Sequence, residues 1–150
     1  MQQLQYSSHP PTAAEFKSLY DTAGWGPVAL EPAFYGDALS GTWRVRCAYC
    51  GTMLVGVIRI ISDGRLHAFI TEMIVHPDFQ GQGVGSSLLV RALEACRDAG
   101  VTDIQLFCAR GKAAFYGRHG FEPRPQDAPG MQYMGPGAIS SNQLPFQEKA

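Results

Sequence analysis

Residues 74–86 read Ile-Val-His-Pro-Asp-Phe-Gln-Gly-Gln-Gly-Val-Gly-Ser, with Gly81, Gly83 and Gly85 set between an apolar run and an amphipathic one. The apolar run must stop near Pro77, which cannot donate to a ladder and keeps His76 out of the helical region. A helix starting just after the glycines leaves its first main-chain N–H groups without intrahelical acceptors, at the positive end of the helix dipole. Glycine removes the Cβ atoms that would hold a ligand away. Such a site takes phosphate without any charged side chain. A nucleoside-triphosphate loop needs Gly-x4-Gly-Lys-Ser/Thr, and the stretch has no lysine. A dinucleotide loop, Gly-x-Gly-x-x-Gly, finds Gly81 and Gly83 but meets Ser86 in its third place, and its strand would open a parallel sheet. The plain alternative is a tight turn in which the glycines serve geometry alone. A strand before, a helix after and a matching element downstream argue against it.

The four cysteines are the other group with chemistry to offer. Cys47-Ala48-Tyr49-Cys50 has the spacing of half a zinc knuckle, but Cys96 and Cys108 are too far apart to supply a second close pair. On a strand, Cys47 and Cys50 would also face opposite ways. Partly buried thiols are expected, with no metal site and no disulfide framework. A length of 150 residues suits one domain, and an apolar fraction of 45% is ordinary for a globular chain. A net charge of −1 gives no electrostatic case for nucleic acid or an acidic membrane. No apolar run has transmembrane length and no signal-peptide pattern opens the chain, so the expected location is the cytoplasm.

The elements that would position these residues follow from periodicity. Thr12 and Glu15 have capping-box spacing, and Phe16, Leu19 and Tyr20 form an apolar stripe, which predicts a helix ending near Gly24. Residues 24–42 read as a loop with a short helix near 33–38. Residues 43–50 alternate, with Trp43, Val45, Cys47 and Tyr49 on one side, which predicts a half-buried strand. Strands over 53–62 and 65–75 flank Asp63-Gly64, a hairpin signal. From Val84 to about Ala99 the apolar residues fall on one half of a helix, with only Val90 misplaced, and Gly100 suits a left-handed cap. Residues 101–108 then form a strand parallel to 65–75, because a helical crossover joins the two. A short helix is predicted over 111–119 and a last strand near 131–134. Residues 135–150 have the composition of a polar tail, leaving 1–134 as the domain.

Gln80-x-x-Gly83-x-Gly85, directly after Val75-His76-Pro77, resembles the acyl-CoA motif of the GNAT superfamily of N-acyltransferases. Ala114-Phe115-Tyr116-Gly117-Arg118-His119-Gly120-Phe121 resembles that superfamily's second signature, Phe-Tyr-x-x-x-Gly-Phe, at the expected distance. The likeness covers about residues 43–134. Asp63-Gly64, Phe79-Gln80-Gly81, Leu106-Phe107, Gly120-Phe121-Glu122-Pro123 and Gly130-Met131 are further similar to the plant and bacterial serotonin N-acetyltransferase-like group. One departure is local. Many members carry Asn seven residues before the tyrosine and Ala four before it; Ala109 and Lys112 stand there, so the Asn contact to pantetheine does not carry over.

The resemblance implies an α/β (α+β) fold: a mixed central sheet with an antiparallel meander, a splayed parallel strand pair and about four helices. It implies acetyl-CoA as co-substrate, with no metal, and transfer of an acetyl group to a primary amine of a small molecule by direct attack. Gln80 and Gly81 would open the phosphate loop, and the N–H groups of Gln82, Gly83, Val84, Gly85 and Ser86 would take the pyrophosphate. The backbone of Met73, Ile74 and Val75 would pair with pantetheine as an added strand does. Tyr116 would protonate the departing thiolate. Glu72, at the end of the strand, is the candidate base; its alternatives are a surface carboxylate or an ion pair to Arg110 or Lys112. Trp25, Phe34 and Tyr35, with Glu31, Glu72 and Asp37 nearby, would line the acceptor site, and Tyr133 is another candidate wall; Trp25 and Phe34 could equally be core. Neither nucleic acid nor a membrane is an expected partner, and a homodimer is expected only because relatives pair through edge strands. The competing classes are a non-catalytic acyl-CoA module and a protein-lysine acetyltransferase.

Overall fold

Five strands form one sheet in chain order: β1 (Leu4–Ser7), β2 (Arg44–Cys50), β3 (Met53–Ser62), β4 (His67–Val75) and β5 (Asp103–Leu106). The first four pair antiparallel, and β5 runs parallel to β4. The helices are α1 (Ala13–Ala23), α2 (Pro32–Ser40), α3 (Val84–Asp98) and α4 (Ala113–Gly117). The computed structural model describes residues 3–24 and 30–137, and the chain divides after Leu106 into two compact units. The expected mixed sheet, antiparallel meander and helical crossover are all present in the first unit.

Local chemistry accounts for the element ends. Thr12 Oγ1 accepts the Glu15 N–H at 3.1 Å and Glu15 Oε2 accepts the Thr12 N–H at 2.7 Å, so α1 starts with a complete capping box. In the β3–β4 turn, Asp63 Oδ1 accepts the N–H groups of Arg65, Leu66 and His67, and these bonds hold its carboxyl below the usual range. At the end of α3 the Val101 N–H reaches back to the Cys96 carbonyl at 2.9 Å across Gly100, whose φ is 79°.

Three expectations are corrected. β2 is not half-buried: Val45, Cys47, Ala48 and Cys50 are all buried, and so is β3 from Leu54 to Ile60, because helices cover both faces of the sheet. Phe16, Leu19 and Tyr35 from α1 and α2 pack with Val45, Cys47, Val57 and Ile74. α3 covers the other face with Val84, Leu88, Leu89, Ala92 and Cys96, and Val90 is exposed. Second, β1 was not anticipated. Four residues carry too little alternation to read, and it is pairing with β2 that makes them a strand. Third, residues 131–134 form no strand; Met131, Tyr133 and Met134 are exposed, and nothing among the described residues extends a ladder to them.

Gly56 lets α3 approach the sheet closely. A Cβ there would lie 2.9 Å from Leu88 Cδ1 and 3.1 Å from Val84 Cγ1. The Gly56→Val substitution should therefore force the start of α3 outward and cost about 1–3 kcal/mol, read from the midpoint of denaturant unfolding.

Candidate functional site

The glycine loop is braced from within. β4 ends at Val75, and residues Pro77–Phe79 form one 3-10 turn. His76 belongs to that turn: its Nδ1 accepts the Asp78 N–H at 3.2 Å and its ring meets Phe79 edge-on at 5.9 Å. Gln80 Nε2 donates to the Val75 carbonyl at 2.9 Å, and Gln82 Nε2 donates to the Asp78 carbonyl at 3.1 Å. The Gln80 amide nitrogen is thus placed to brace the loop. Gly81 and Gly83 adopt φ of 73° and 82°, the left-handed region that glycine enters without strain. A Cβ on either would meet nothing within 4 Å, so packing does not demand these glycines; backbone shape and open approach do. Gly83 is the N-cap of α3 and has no side chain to cap it, and the first intrahelical bond runs from the Ser87 N–H to its carbonyl at 3.0 Å. The N–H groups of Val84 and Gly85 thus begin the helix without intrahelical acceptors, and Ser86 completes the first turn. This arrangement fits a diphosphate.

The edge of β4 supplies a second feature. β4 pairs with β5 only from His67↔Asp103 to Ile70↔Leu106, then continues from Thr71 to Val75 with no strand on that side among the described residues. The His76 N–H bonds the Val55 carbonyl of β3 at 2.8 Å. Backbone groups alternate sides along a strand, so those of Val75 point away from β3, where its carbonyl meets Gln80, and so do those of Met73. Ile74, between them, faces β3 and is buried opposite Val57.

Glu72 interrupts the same strand. Arg59 pairs with Thr71 and Val57 with Ile74, so two residues of β4, Glu72 and Met73, oppose Ile58 alone. This is a β-bulge, and Glu72 sits in it with φ of 35°, the one non-glycine residue with positive φ among those described. Such a backbone costs about 1–3 kcal/mol and persists only where surroundings impose it. A regular strand would turn Glu72 away from the face that carries Arg59; the bulge turns it back. Glu72 Oε2 then accepts from Arg59 Nη1 in an ion pair, with side chains only 7% and 17% exposed for Arg59 and Glu72. The surface-carboxylate alternative is thereby excluded, and the partner is Arg59 of β3.

Aromatic residues surround this pair. The Tyr20 hydroxyl is pushed up to about 12, chiefly by burial and next by the Glu72 carboxylate. Tyr20 lies 5.2 Å from Tyr35, and Phe16 meets both edge-on. Tyr35 is itself in the core at 3% exposure, and its hydroxyl has no hydrogen-bond partner among the described residues. Phe34 is exposed beside it, 5.6 Å away ring to ring. Glu31 caps α2 and Asp37 lies exposed on it. Trp25 lies outside the described residues. Sequence reasoning missed Arg59 and took Tyr20 for simple core. The signal for Arg59 was there: it is the single charge in the apolar run Met53–Ile61.

In the second unit, Tyr116 closes a local aromatic group, 5.1 Å from Phe115 and 5.9 Å from Phe121. The turn after α4 folds Phe121 back, its N–H bonding the Tyr116 carbonyl at 3.1 Å across Gly120. Burial, with Cys108 adding to it, pushes the Tyr116 hydroxyl up to about 12. The His119 ring lies tilted against Phe115 at 5.1 Å, and Tyr133 is exposed. Among the described residues no cluster of His, Cys, Asp or Glu could hold a metal, and no helix is long and apolar enough to cross a membrane.

Tyr20 and Tyr116 therefore keep their protons in the folded chain well above the ordinary tyrosine value near 10. Between about pH 10 and pH 12 the unfolded chain loses these protons and the folded one does not. Stability should thus fall as pH rises through that window and be unaffected by these groups below it. An ultraviolet phenolate titration should show late-titrating tyrosines, one fewer in Tyr116→Phe.

A family model described as an acetyltransferase (GNAT) domain matches residues 42–123. An uncharacterized N-acetyltransferase, ycf52, from Pyropia yezoensis is 36% identical over 119 residues, covering 78% of this chain and 68% of that protein. The chain spans 46% to 68% of the length of such relatives. A GNAT family acetyltransferase from Streptococcus pneumoniae superposes with a TM-score of 0.77 at 28% identity, over 89% of this chain and 99% of that one. Another, from Brucella melitensis in complex with acetyl-CoA, has a TM-score of 0.64 at 21% identity, over 81% and 84%. With the match running from the start of β2 past α4, the chain belongs to the GNAT acetyltransferase family.

Proposed function

We propose that this chain transfers the acetyl group of acetyl-CoA to a primary amine of a small molecule. The observation that carries the reading is the uncapped start of α3 behind Gly81 and Gly83, at the end of a strand that has lost its neighbour. The pyrophosphate would rest on the N–H groups of residues 82–86, at the positive helix end. Pantetheine would lie along Met73–Val75 as an added strand, using the backbone groups that point away from β3. The Val75 N–H would then polarise the thioester carbonyl as its oxygen gains charge.

An alkylamine has a pKa of about 10 and must lose a proton before attack. Glu72 has one oxygen, Oε2, engaged by Arg59; Oε1 has no protein partner among the described residues. Oε1 would accept the amine proton, directly or through water. The amine nitrogen then bonds the acyl carbon, the C–S bond breaks, and the sulphur takes a proton from Tyr116. A phenol pushed up to about 12 is fully protonated at neutral pH and is a weak acid. Burial pushes the Cys47 thiol up to about 12 and raises Cys96 and Cys108 as well, which favours direct attack over an acyl-enzyme. The acceptor side would be built from Phe34, Glu31 and Asp37 around Tyr20 and Glu72, suiting an amine with an apolar or aromatic body.

In a thiol-release assay with acetyl-CoA and a panel of small amines, the wild-type chain should turn over, and replacing all four cysteines should not abolish the activity. Tyr116→Phe should lower kcat about 10²- to 10⁴-fold while acetyl-CoA affinity holds. Gly83→Val should instead weaken acetyl-CoA binding by about tenfold or more, by calorimetry, because the left-handed cap excludes a branched side chain. Binding without turnover of any amine would favour an acyl-CoA module, and turnover of peptide lysines alone would favour a protein acetyltransferase.

A further inference from the structure

Arg59 is bonded far beyond its contact with Glu72. Its side chain is buried, and all three of its nitrogens are engaged. Nε donates to Thr42 Oγ1 at 2.8 Å, Nη2 donates to the Ala38 carbonyl in the last turn of α2 at 2.8 Å, and Nη1 donates to Glu72 Oε2. Thr42 Oγ1 itself donates to the same Ala38 carbonyl at 3.2 Å. The guanidinium plane lies 5.9 Å from the Phe16 ring centre. A rigid planar fork can reach three acceptors in three directions, which an ammonium on a flexible stem cannot.

We infer that Arg59 is a positioning residue for acyl transfer. It fixes the Glu72 carboxylate by one oxygen and leaves the other directed at the acceptor amine, with the end of α2 and Thr42 as its anchor. Two observations join here. The bulge at Glu72 costs backbone energy, and the carboxylate it turns inward meets one buried cation already oriented by two other bonds. A purely structural ion pair needs neither the strained residue nor an unpartnered carboxylate oxygen. The inference rests on the reading of Glu72 as base, and its test separates the two.

The test is a double-mutant cycle on kcat and KM for the best amine of the panel, with Arg59→Lys, Glu72→Gln and the pair. Arg59→Lys keeps the charge and loses the fork. It should lower kcat about tenfold to a hundredfold, as small misplacements of a reacting group do, while amine KM and acetyl-CoA affinity change by no more than about twofold. In the Glu72→Gln background the same change should add less than about twofold, because the group it positions is gone. Thr42→Val removes one anchor without touching charge; it should lower kcat in the same sense by a smaller factor, and it serves if Arg59→Lys melts early. Equal losses from Arg59→Lys with and without Glu72 would overturn the positioning role and leave the base intact. Wild-type kcat in Glu72→Gln would overturn the base and the positioning role together.

Discussion

One strand must serve two neighbours that make different demands. β4 pairs with β3 from Ala68 to Val75, interrupted by the bulge at Glu72 and Met73, and it pairs with β5 for four residues only. Past Ile70 its outer edge has no strand beside it among the described residues, and main-chain groups on such an edge are costly unless something satisfies them. Gln80 satisfies the last carbonyl from within the loop. The rest is what an extended amide-bearing ligand can complete. The glycine loop follows because the chain has just left that edge, and α3 starts where the strand stops. Edge, loop and helix start are thus one consequence of where the β4–β5 ladder ends.

The bulge in β4 ties the acidic side chain to this same region. Burying an ion pair costs solvation that attraction alone does not return, and such pairs persist when further hydrogen bonds complete them. Arg59 is completed, by Thr42, Ala38 and Glu72. Glu72 is half completed. The asymmetry matters, because the bond from Arg59 to one oxygen fixes the direction of the carboxylate and leaves the other oxygen to accept a proton. The aromatic group of Phe16, Tyr20 and Tyr35 packs around the pair on the same sheet face and excludes water there, which strengthens whatever electrostatic contact the pair makes.

Most of the fold was legible because its signals are short-range. A capping box, an Asp-Gly turn, a proline after a strand and an amphipathic helix each act within a few residues, and all four stand where periodicity put them. β1 was not legible: its strand character lies in the β2 edge, over forty residues away. The glycine loop was legible as a loop for the same short-range reason, but that Gly81 and Gly83, and not Gly85, take left-handed conformations was not. Glu72 was named from its place at the end of the strand, but its surroundings were not readable. Counting by twos along β4 points it to the wrong face, and only the inserted residue at Met73 corrects the phase. Arg59 was visible as a charge among valines and isoleucines, a pattern that asks where its partner is. The partner lies on the next strand, out of register with any local rule.

Tyr35 shows the opposite failure. It was expected at the acceptor site because the resemblance implies that this segment lines it. Once residues 32–40 fold as α2, the same side chain falls on the inward face and becomes core, while its neighbour Phe34 is left outside. Which of two adjacent aromatics meets solvent is set by helix phase, and helix phase is set by the Pro32 start. A short helix near 33–38 was expected there, and the helix in fact runs from Pro32 to Ser40. Phe34 and Tyr35 were given one role because they are adjacent, and only the packed helix separates the exposed ring from the buried one.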